Sequence, residues 1–182
     1  RASDIVSSLM AFSYKGKPVL VMSDINKIID NTLLFLGNKI STDITIRKNY
    51  LLGQEVPVYA DKIHQVLLNI LDNALFAVKK NAKIRTGEIF IHTDQSSEHA
   101  IVKISNNGQK IPEEHLKQIF DPFFTTKPTG QGTGLGLPIV QAHEGVGGAV
   151  GHGALEALAA VAAGLAAAGG TADGVLARVL DL

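Results

Sequence analysis

The stretch DKIHQVLLNILDNALFAVKKNA, residues 61–82, decides the fold. Its apolar residues recur every three or four positions, and this spacing predicts one long amphipathic helix with Asp61 as its N-cap. The apolar positions are Ile63, Val66, Leu67, Ile70, Leu71, Ala74, Leu75 and Val78. Gln65, Asn69 and Asn73 stand at i, i+4 and i+8, so they form a polar stripe opposite the apolar face.

The polar stripe has two interpretations. Two asparagines on one helix face present neutral oxygens, which suit a Mg²⁺ ion that keeps several waters and takes further ligands from substrate phosphates. Alternatively, the stripe is the solvated face of an ordinary amphipathic helix, which is the commoner case for such a stripe alone. The helix by itself leaves both interpretations open.

Segments on either side of this helix have the periodicity of strands or of shorter helices. The predicted strands are PVLVMS (18–23), DITIRKNY (43–50), VPVYA (56–60), GEIFIHT (87–93) and AIVKISN (100–106), the last two forming a β-hairpin. The predicted helices are residues 1–13, residues 25–36 with Asp24 as N-cap, EEHLKQIF (113–120) after Pro112, and PIVQAH (138–143).

Three loop motifs follow the long helix. NNGQKIP (106–112) comes after a predicted strand, and its polar side chains and Ile111 suit contact with a base, although Asn-Gly is also a common turn. FDPFFTTK (120–127) places two phenylalanines, which are either an exposed latch or a plug of the core, close to Lys127, a point charge that suits a phosphate. GQGTGLGLPIV (130–140) has glycines that allow close approach to an anion at a helix N-terminus, although such a run is also typical of flexible loops.

Taken together and in this order, four segments resemble the N, G1, F and G2 boxes of sensor histidine kinases. These kinases belong to the ATPase superfamily of DNA gyrase, the ninety-kilodalton heat-shock chaperone and MutL. The segments are HQVLLNILDNALFA (64–77), NNGQKIP (106–112), IFDPFFTTK (119–127) and GTGLGL (132–137). The resemblance implies an ATP-binding catalytic domain with a two-layer α/β sandwich and a mixed, mostly antiparallel sheet. ATP would bind between the helix layer and a mobile lid that runs from the F box to the G2 box.

The resemblance also implies roles for individual residues. Asn73 would ligate Mg²⁺, Asn69 would be a second ligand or would position a water, and Lys127 would contact the γ-phosphate. Phe123 and Phe124 would anchor the lid. Phe123 would also contact ATP. The other residues implied to contact ATP are Lys80, Asn106, Gly108, Ile111, Thr126, Gly132, Thr133, Gly134, Leu135, Gly136 and Leu137.

Two residues of the G1 segment depart from the pattern that the family shows. Asn106 stands where the family has an aspartate that accepts a hydrogen bond from the adenine amino group. The amide oxygen still accepts, but the bond loses its charge assistance, which roughly halves its strength. Lys110 replaces a glycine, so its side chain either crowds the turn or leans toward phosphate. These departures bear on nucleotide affinity rather than on the fold.

The resemblance places the phosphoacceptor histidine on a dimerisation helix that this chain lacks. Residues 1–16 are similar to the end of the second dimerisation helix. Of the six histidines, His64, His92, His99, His115 and His143 lack the acceptor pattern of an acidic neighbour followed by a proline. We therefore expect no efficient autophosphorylation by this chain alone. The full-length protein would be a homodimer with a dimerisation and phosphoacceptor domain, and its partner would be a response regulator receiver domain.

Composition excludes several classes of protein. Hydrophobic residues make up 46% and charged residues 19% of the 182 residues, a globular balance. Lys+Arg and Asp+Glu both count 17, so a nucleic-acid binder, which needs a basic excess, is not indicated. No cysteine is present, which excludes disulfides and thiolate metal sites. We expect a cytoplasmic domain, and the sequence leaves open whether the full-length protein is anchored in a membrane.

The resemblance implies that residues 1–16 are the end of the dimerisation helix and that residues 17–143 are the ATP-binding catalytic domain. An abrupt change of composition then sets off residues 144–182 as a tail dominated by alanine and glycine. The tail is either an atypical end of the same domain or a foreign or low-complexity addition. Within it, residues 154–168 favour helix, and residues 175–182 favour a strand or a helix. The chain opens without a signal-peptide pattern. Because it begins at Arg1 and not at a methionine, we expect a fragment of a longer protein.

Two alternatives to a working histidine kinase remain. Asn106 and Lys110 motivate a degenerate, non-catalytic nucleotide-binding module of the same fold. A related serine kinase or a gyrase-type ATPase is the second alternative. The gyrase type places a glutamate base at the position of Asn69, where it activates water, so the asparagine argues against that type.

Overall fold

The computed structural model describes residues 19–81, 86–95, 99–142 and the backbone of residues 174–181. The elements in chain order are β1 (Val21–Ser23), α1 (Ile25–Phe35), β2 (Ile44–Tyr50), β3 (Val56–Val58), α2 (Ala60–Asn81), β4 (Gly87–Gln95), β5 (His99–Asn106), α3 (Gly136–Ala142) and β6 (Gly174–Asp181). Two 3₁₀ turns, Gly37–Lys39 and Glu113–His115, lie between them. Residues 1–13 and 154–168, for which helices are predicted, lie outside the described residues.

Helix α2 forms the centre of the helical layer because its apolar stripe is buried along the whole length of the helix. Val66, Leu71 and Val78 are each at most 2% exposed. They belong to one core cluster with Ile25 and Ile29 of α1 and with the inward-facing residues of the sheet. Burial of such side chains stabilises by about 1.5–3 kcal/mol each, so this stripe fixes how α2 lies on the sheet.

The main sheet has four strands in the order β2-β4-β5-β6, and β1 pairs with β3 in a separate antiparallel ribbon. Strand β2 runs parallel to β4, whereas β4–β5 and β5–β6 are antiparallel. Side chains of β4 alternate in burial, with Ile89, Ile91 and Thr93 facing the helices. The predicted two-layer α/β sandwich with a mixed, mostly antiparallel sheet is therefore confirmed.

Two predicted helix features are wrong in detail. Helix α2 begins at Ala60, and the Tyr59 carbonyl accepts from the Ile63 N–H, so Asp61 is an acidic residue of the first turn and not the N-cap. Only Glu113–His115 of the predicted helix 113–120 is helical, and it is a 3₁₀ turn. A segment this short with no side-chain cap lacks the cooperativity of an α-helix, so i to i+3 bonds replace the α pattern.

Strand β6 covers the free edge of β5, in register from His99 opposite Asp181 to Asn106 opposite Gly174. The sequence left strand and helix open for residues 175–182, and the structure shows a strand. Backbone groups of β5 that would otherwise face an unpaired edge are thereby paired. In the described ranges, no helix has both the length and the apolar character needed to span a membrane.

Asp30 ties α1 to β2. Its Oδ1 accepts hydrogen bonds from Lys48 Nζ and from the Tyr50 hydroxyl, each at 2.9 Å. Partial burial alone would raise the pKa of the Asp30 carboxyl, but these hydrogen bonds and the Lys48 charge outweigh it and lower that pKa. The ionised form of Asp30 is therefore the form that stabilises the fold.

We expect Asp30→Asn to reduce the loss of stability in acid. The folded pKa of Asp30 lies below the unfolded value of about 3.9, so its contribution is present above that value and is lost as the pH falls through the folded pKa. Urea unfolding at about pH 6 and about pH 3.5 checks this. The difference between the two free energies of unfolding should be smaller for the variant than for the parent, and equal differences would contradict the assignment.

Candidate functional site

The polar face of α2 meets the start of α3. Asn69 Nδ2 donates to the Gly136 carbonyl oxygen at 3.1 Å, which leaves the Asn69 side-chain oxygen able to accept or to coordinate. A Cβ built on Gly136 would lie 3.5 Å from that side chain, so the glycine lies directly against Asn69. Asn73, one turn further along, is half-buried and makes no side-chain hydrogen bond within the described part of the chain. Two amide oxygens are thus available on one helix face.

The lysine of the F segment contacts side chains of α2. Lys127 Nζ donates to Asp72 Oδ2 at 2.9 Å, and its side chain is only 15% exposed. The same ammonium lies 5.0 Å from the centroid of the Phe76 ring, and Lys80 Nζ lies at the same distance from that ring. The structure therefore brings Lys80 and Lys127, two residues that the sequence singled out, to one aromatic side chain.

Asp72 is a site residue that the sequence reasoning missed. Its Oδ1 accepts from Lys39 Nζ at 2.6 Å while Oδ2 accepts from Lys127. Burial alone would raise the pKa of Asp72, but the hydrogen bonds from Lys39 and Lys127 and their charges outweigh it and lower that pKa. The signal in the sequence was the position of Asp72 directly before Asn73, on the face that the amphipathic pattern leaves polar.

The G1 segment packs against the second half of α2. Asn106 Oδ1 accepts from the Gly108 N–H at 2.9 Å, and the Gln109 N–H donates to the Ala77 carbonyl oxygen at 3.0 Å. A Cβ on Gly108 would overlap the backbone of Ala77 and would lie 2.6 Å from its carbonyl oxygen, so only glycine fits. Ile111 is 36% exposed at the end of this turn. Lys110 is exposed as well, so it does not crowd the turn.

Asn107 is a second residue whose role the sequence did not reveal, because it reads only as part of a turn. Its side chain is 8% exposed. Its Oδ1 accepts from the Glu88 N–H at 2.8 Å, and its Nδ2 donates to the Thr86 carbonyl oxygen at 3.0 Å. Asn107 therefore fixes the G1 turn to the beginning of β4.

Replacing Asn107 with alanine should lower the free energy of unfolding by about 2 kcal/mol, because buried backbone groups lose their partner. Urea denaturation measures the change. Asn38→Ala, at an exposed position of the Gly37–Lys39 turn, is the control and should stay within about 0.5 kcal/mol of the parent. An Asn107→Ala effect as small as that of Asn38→Ala would contradict the bracing role.

The segment for which the resemblance implies a lid, from the F box to the G2 box, has a backbone hydrogen bond across it. The Phe123 N–H donates to the Gly134 carbonyl oxygen at 3.0 Å. Both residues have positive φ, 70° and 67°, and a Cβ on Gly134 would lie 2.6 Å from Phe123 Cα. A positive φ is uncommon for a bulky residue and stores strain.

The two phenylalanine rings of this segment differ in exposure. The Phe123 ring is 74% exposed, and the backbone N–H of Phe123 makes the hydrogen bond to Gly134. Phe124 is half-buried, and its ring centroid lies 5.4 Å from that of His115. The anchoring role of the two phenylalanines stays a prediction.

The glycine segment lies beside the lysine segment. A Cβ on Gly132 would lie 2.7 Å from Thr125 Oγ1, the same hydroxyl that accepts from the Lys127 N–H at 3.1 Å. Thr133 Oγ1 accepts from the Leu135 N–H at 3.3 Å, just before α3 begins. Thr126 is exposed, and Leu135 and Leu137 are half-buried. All three segments therefore contact α2. Asn69 contacts the glycine segment, Asp72 contacts the F segment, and Ala77 contacts the G1 segment.

Three histidines make local contacts. His64 Nδ1 lies 3.0 Å from Thr32 Oγ1, and His92 Nδ1 lies 3.2 Å from Asn49 Nδ2. The His115 ring is tilted by 57° to the Phe124 ring, with the ring centroids 5.4 Å apart. The side chains of His99 and His143 lie outside the described residues.

Comparison with protein families gives one match. The family described as "Histidine kinase-, DNA gyrase B-, and HSP90-like ATPase" matches residues 59–170. This range contains α2 and the G1, F and G2 segments, and it extends into the alanine- and glycine-rich tail.

Curated relatives are sensor kinases. The chain is 35% identical over 149 residues to the signal transduction histidine-protein kinase AtoS of Escherichia coli K12, covering 78% of this chain and 23% of AtoS. It is 32% identical over 138 residues to sporulation kinase C of Bacillus subtilis 168, covering 74% of this chain and 31% of that protein. The chain thus spans less than a third of the length of these relatives.

Solved structures include the catalytic domain of the histidine kinase ThkA. That domain is 32% identical with a TM-score of 0.57, and the match covers 67% of this chain and 77% of the domain. A structure of ThkA in complex with the response regulator protein TrrA also matches, at 19% identity and a TM-score of 0.62, over 99% of this chain and 48% of the matched chain. The second likeness shows the fold.

Proposed function

The chain belongs to the family of histidine kinase-, DNA gyrase B- and HSP90-like ATPases, as an ATP-binding catalytic domain of the sensor histidine kinase type, and from this we propose that it transfers the γ-phosphoryl group of ATP to a histidine. The acceptor histidine would lie on a dimerisation domain outside this chain. One observation carries the proposal. Helix α2 carries the amide side chains of Asn69 and Asn73. The largely buried Lys127 and the closely packed Gly108 and Gly136 contact the same helix.

The donor set fits Mg²⁺. Asn73 has no side-chain partner among the described residues, and Asn69 uses only its Nδ2 group, so both side-chain oxygens are available. Neutral oxygens in small number suit a cation that completes its coordination with waters and substrate phosphates. Asn73 and Asn69 would hold the ion, and the ion would neutralise charge on the phosphates.

Phosphoryl transfer asks this chain mainly for positioning and charge neutralisation, because the transition state is loose. Lys127 supplies a largely buried positive charge, held on the carboxylate of Asp72, the residue before Asn73. The backbone N–H groups around Gly132, Gly134 and Gly136 would face the phosphate oxygens. Thr133 and Thr126 lie on the same segment and would add hydroxyl donors, while Leu135 and Leu137 would line the site.

At the adenine end, Asn106, Gly108 and Ile111 would form the base-binding turn. Asn106 Oδ1 already accepts from the Gly108 N–H, so adenine would use its second lone pair. A neutral acceptor that is already shared favours weaker binding than a carboxylate would give. This observation supports the second candidate, a degenerate nucleotide-binding module that retains the fold without transfer.

The proposed partners follow from the reaction. ThkA is seen with a response regulator, and we propose a receiver domain as the downstream partner of the full-length protein here, which would be a homodimer. Since the reaction consumes ATP, we propose a cytoplasmic location. Because β6 pairs along the length of β5, we propose that the tail 144–182 closes the same domain as residues 17–143.

The test is phosphotransfer to a supplied dimerisation domain. The chain is mixed with γ-labelled Mg-ATP and a purified histidine-containing dimerisation domain, with the same domain carrying alanine in place of that histidine as the control. We expect label on the histidine, stable in alkali and lost in acid, and none on the control. Binding of Mg-ATP without any transfer would contradict the kinase and favour the degenerate module.

A further inference from the structure

Lys127 is held at three points. Its N–H donates to Thr125 Oγ1 at 3.1 Å, its ammonium donates to Asp72 Oδ2 at 2.9 Å, and the same ammonium lies 5.0 Å from the centroid of Phe76. Its side chain is 15% exposed, whereas that of Lys39, on the other oxygen of Asp72, is 59% exposed. Asp72 thus holds one buried and one exposed lysine.

A lysine needs such restraint if its charge is to act at one point. Its four-carbon side chain carries about 2 kcal/mol of rotamer entropy, and a hydrated ammonium samples many positions unless a partner fixes it. Asp72 and Asn69 are three positions apart on α2 and so share one face of the helix, and the Asp72 carboxylate fixes the Lys127 ammonium on that face.

The second lysine matters for the sign of the local charge. A carboxylate paired with Lys127 alone would be neutral and would cancel the attraction of that ammonium for a phosphate. With Lys39 on the other oxygen, two ammonium groups share one carboxylate, and one net positive charge remains.

We propose that Asp72 is a positioning residue, which holds the Lys127 ammonium against α2 beside Asn69 and Asn73 so that it meets the γ-phosphate of bound ATP. The inference rests on the proposed function and deepens it. Asp72 acts through Lys127 and touches no substrate itself. A purely structural tie between the lid and α2 is the competing explanation.

A double-mutant cycle separates the two explanations. Mg-ATP and Mg-ADP are titrated by calorimetry into the parent, Asp72→Asn, Lys127→Met and the double variant. Asp72→Asn adds one net positive charge to this group, but the loss of the fixed ammonium position outweighs the added attraction for phosphate. We expect Asp72→Asn to weaken Mg-ATP binding about tenfold, the scale of one charge-assisted hydrogen bond, and to change Mg-ADP binding less than about twofold. In the Lys127→Met background, Asp72→Asn should add nothing. Asp72→Glu should restore most of the affinity for Mg-ATP.

Asp30→Asn is the matched control, because Asp30 also holds a lysine but lies on α1. It should leave the affinities for Mg-ATP and Mg-ADP unchanged. Equal weakening of both nucleotides by Asp72→Asn, or an undiminished effect in the Lys127→Met background, would overturn positioning in favour of the structural tie. No effect of Asp72→Asn on Mg-ATP binding would overturn it as well.

A second measurement keeps this inference separate from the proposed function. Limited acetylation followed by mass spectrometry reports whether the Lys127 amine is protected without any nucleotide. We expect slow labelling of Lys127 in the parent and faster labelling in Asp72→Asn. Equal labelling rates would overturn the positioning role even if Mg-ATP binds. If Lys127 is protected in a parent that binds no Mg-ATP, the Asp72–Lys127 pair exists but the proposed function is wrong. The positioning role is then overturned as well, because it rests on that function.

Discussion

Replacing Asn73 with alanine is expected to weaken Mg-ATP binding by on the order of 100-fold, because a ligand to the cation is worth several kcal/mol. The fold should tolerate the change. Asn73 is half-buried and makes no side-chain hydrogen bond with the described residues, so its removal leaves no partner unsatisfied. Calorimetric titration measures the affinity, and urea denaturation measures the free energy of unfolding.

The control for this variant is Asn31→Ala, at an exposed position of α1. It should change neither the affinity nor the stability. Asn69→Ala is a poorer choice because it would also remove the hydrogen bond to Gly136 and so release the start of α3. An Asn73→Ala variant that binds Mg-ATP as tightly as the parent would show that Asn73 holds no metal.

Gly108→Ala is expected to have the largest effect on stability, about 2–4 kcal/mol in the free energy of unfolding. The added methyl group would overlap the backbone of Ala77, which cannot move aside as a flexible side chain would. The G1 turn would have to leave α2, and the hydrogen bond from the Gln109 N–H to Ala77 would be lost. Nucleotide affinity should fall with it, since Asn106 shares this turn.

Gly53→Ala provides the matched control for Gly108→Ala. A Cβ at Gly53 meets nothing within 4 Å, and its backbone is not in the left-handed region. The same change of residue therefore removes no contact there and should stay within about 1 kcal/mol of the parent. Similar unfolding free energies for the two variants would contradict the close packing of the G1 turn on α2.

Much of the fold could be predicted from local patterns. The three-four repeat of residues 61–82 gave α2 to within one residue at each end, and Asp24 caps α1 as expected, accepting from the N–H groups of Asn26 and Lys27. The alternation in residues 87–106 gave the hairpin of β4 and β5. These predictions depend on the periodicity of neighbouring residues, which one sequence contains in full.

The parts that could not be predicted depend on contacts between residues far apart in the chain. Lys127 and Asp72 are 55 positions apart, and no local pattern indicates that they pair. Phe123 has a positive φ, its N–H donates to the Gly134 carbonyl oxygen, and its ring is 74% exposed although the resemblance implied that it anchors the lid. Asn107 looked like a turn residue, yet its side chain braces β4.

The roles proposed for the site residues stay predictions, although the structure groups most of them on α2. Asn69 and Lys80 lie on α2, and Lys127 and Gly108 contact it. Nucleotide binding by them follows from the family and from the donor chemistry. The departures at Asn106 and Lys110 make the affinity of this pocket the quantity on which the functional account depends.

The measurement that tests the account most directly is a calorimetric titration of the chain and of Asn106→Asp with Mg-ATP and Mg-ADP. The account predicts micromolar binding of Mg-ATP by the parent and tighter binding by Asn106→Asp, since a carboxylate restores the charge-assisted hydrogen bond to the adenine amino group. Binding by Asn106→Asp alone would identify a degenerate site on an intact fold. No binding by either protein would contradict the assignment of this surface as an ATP site.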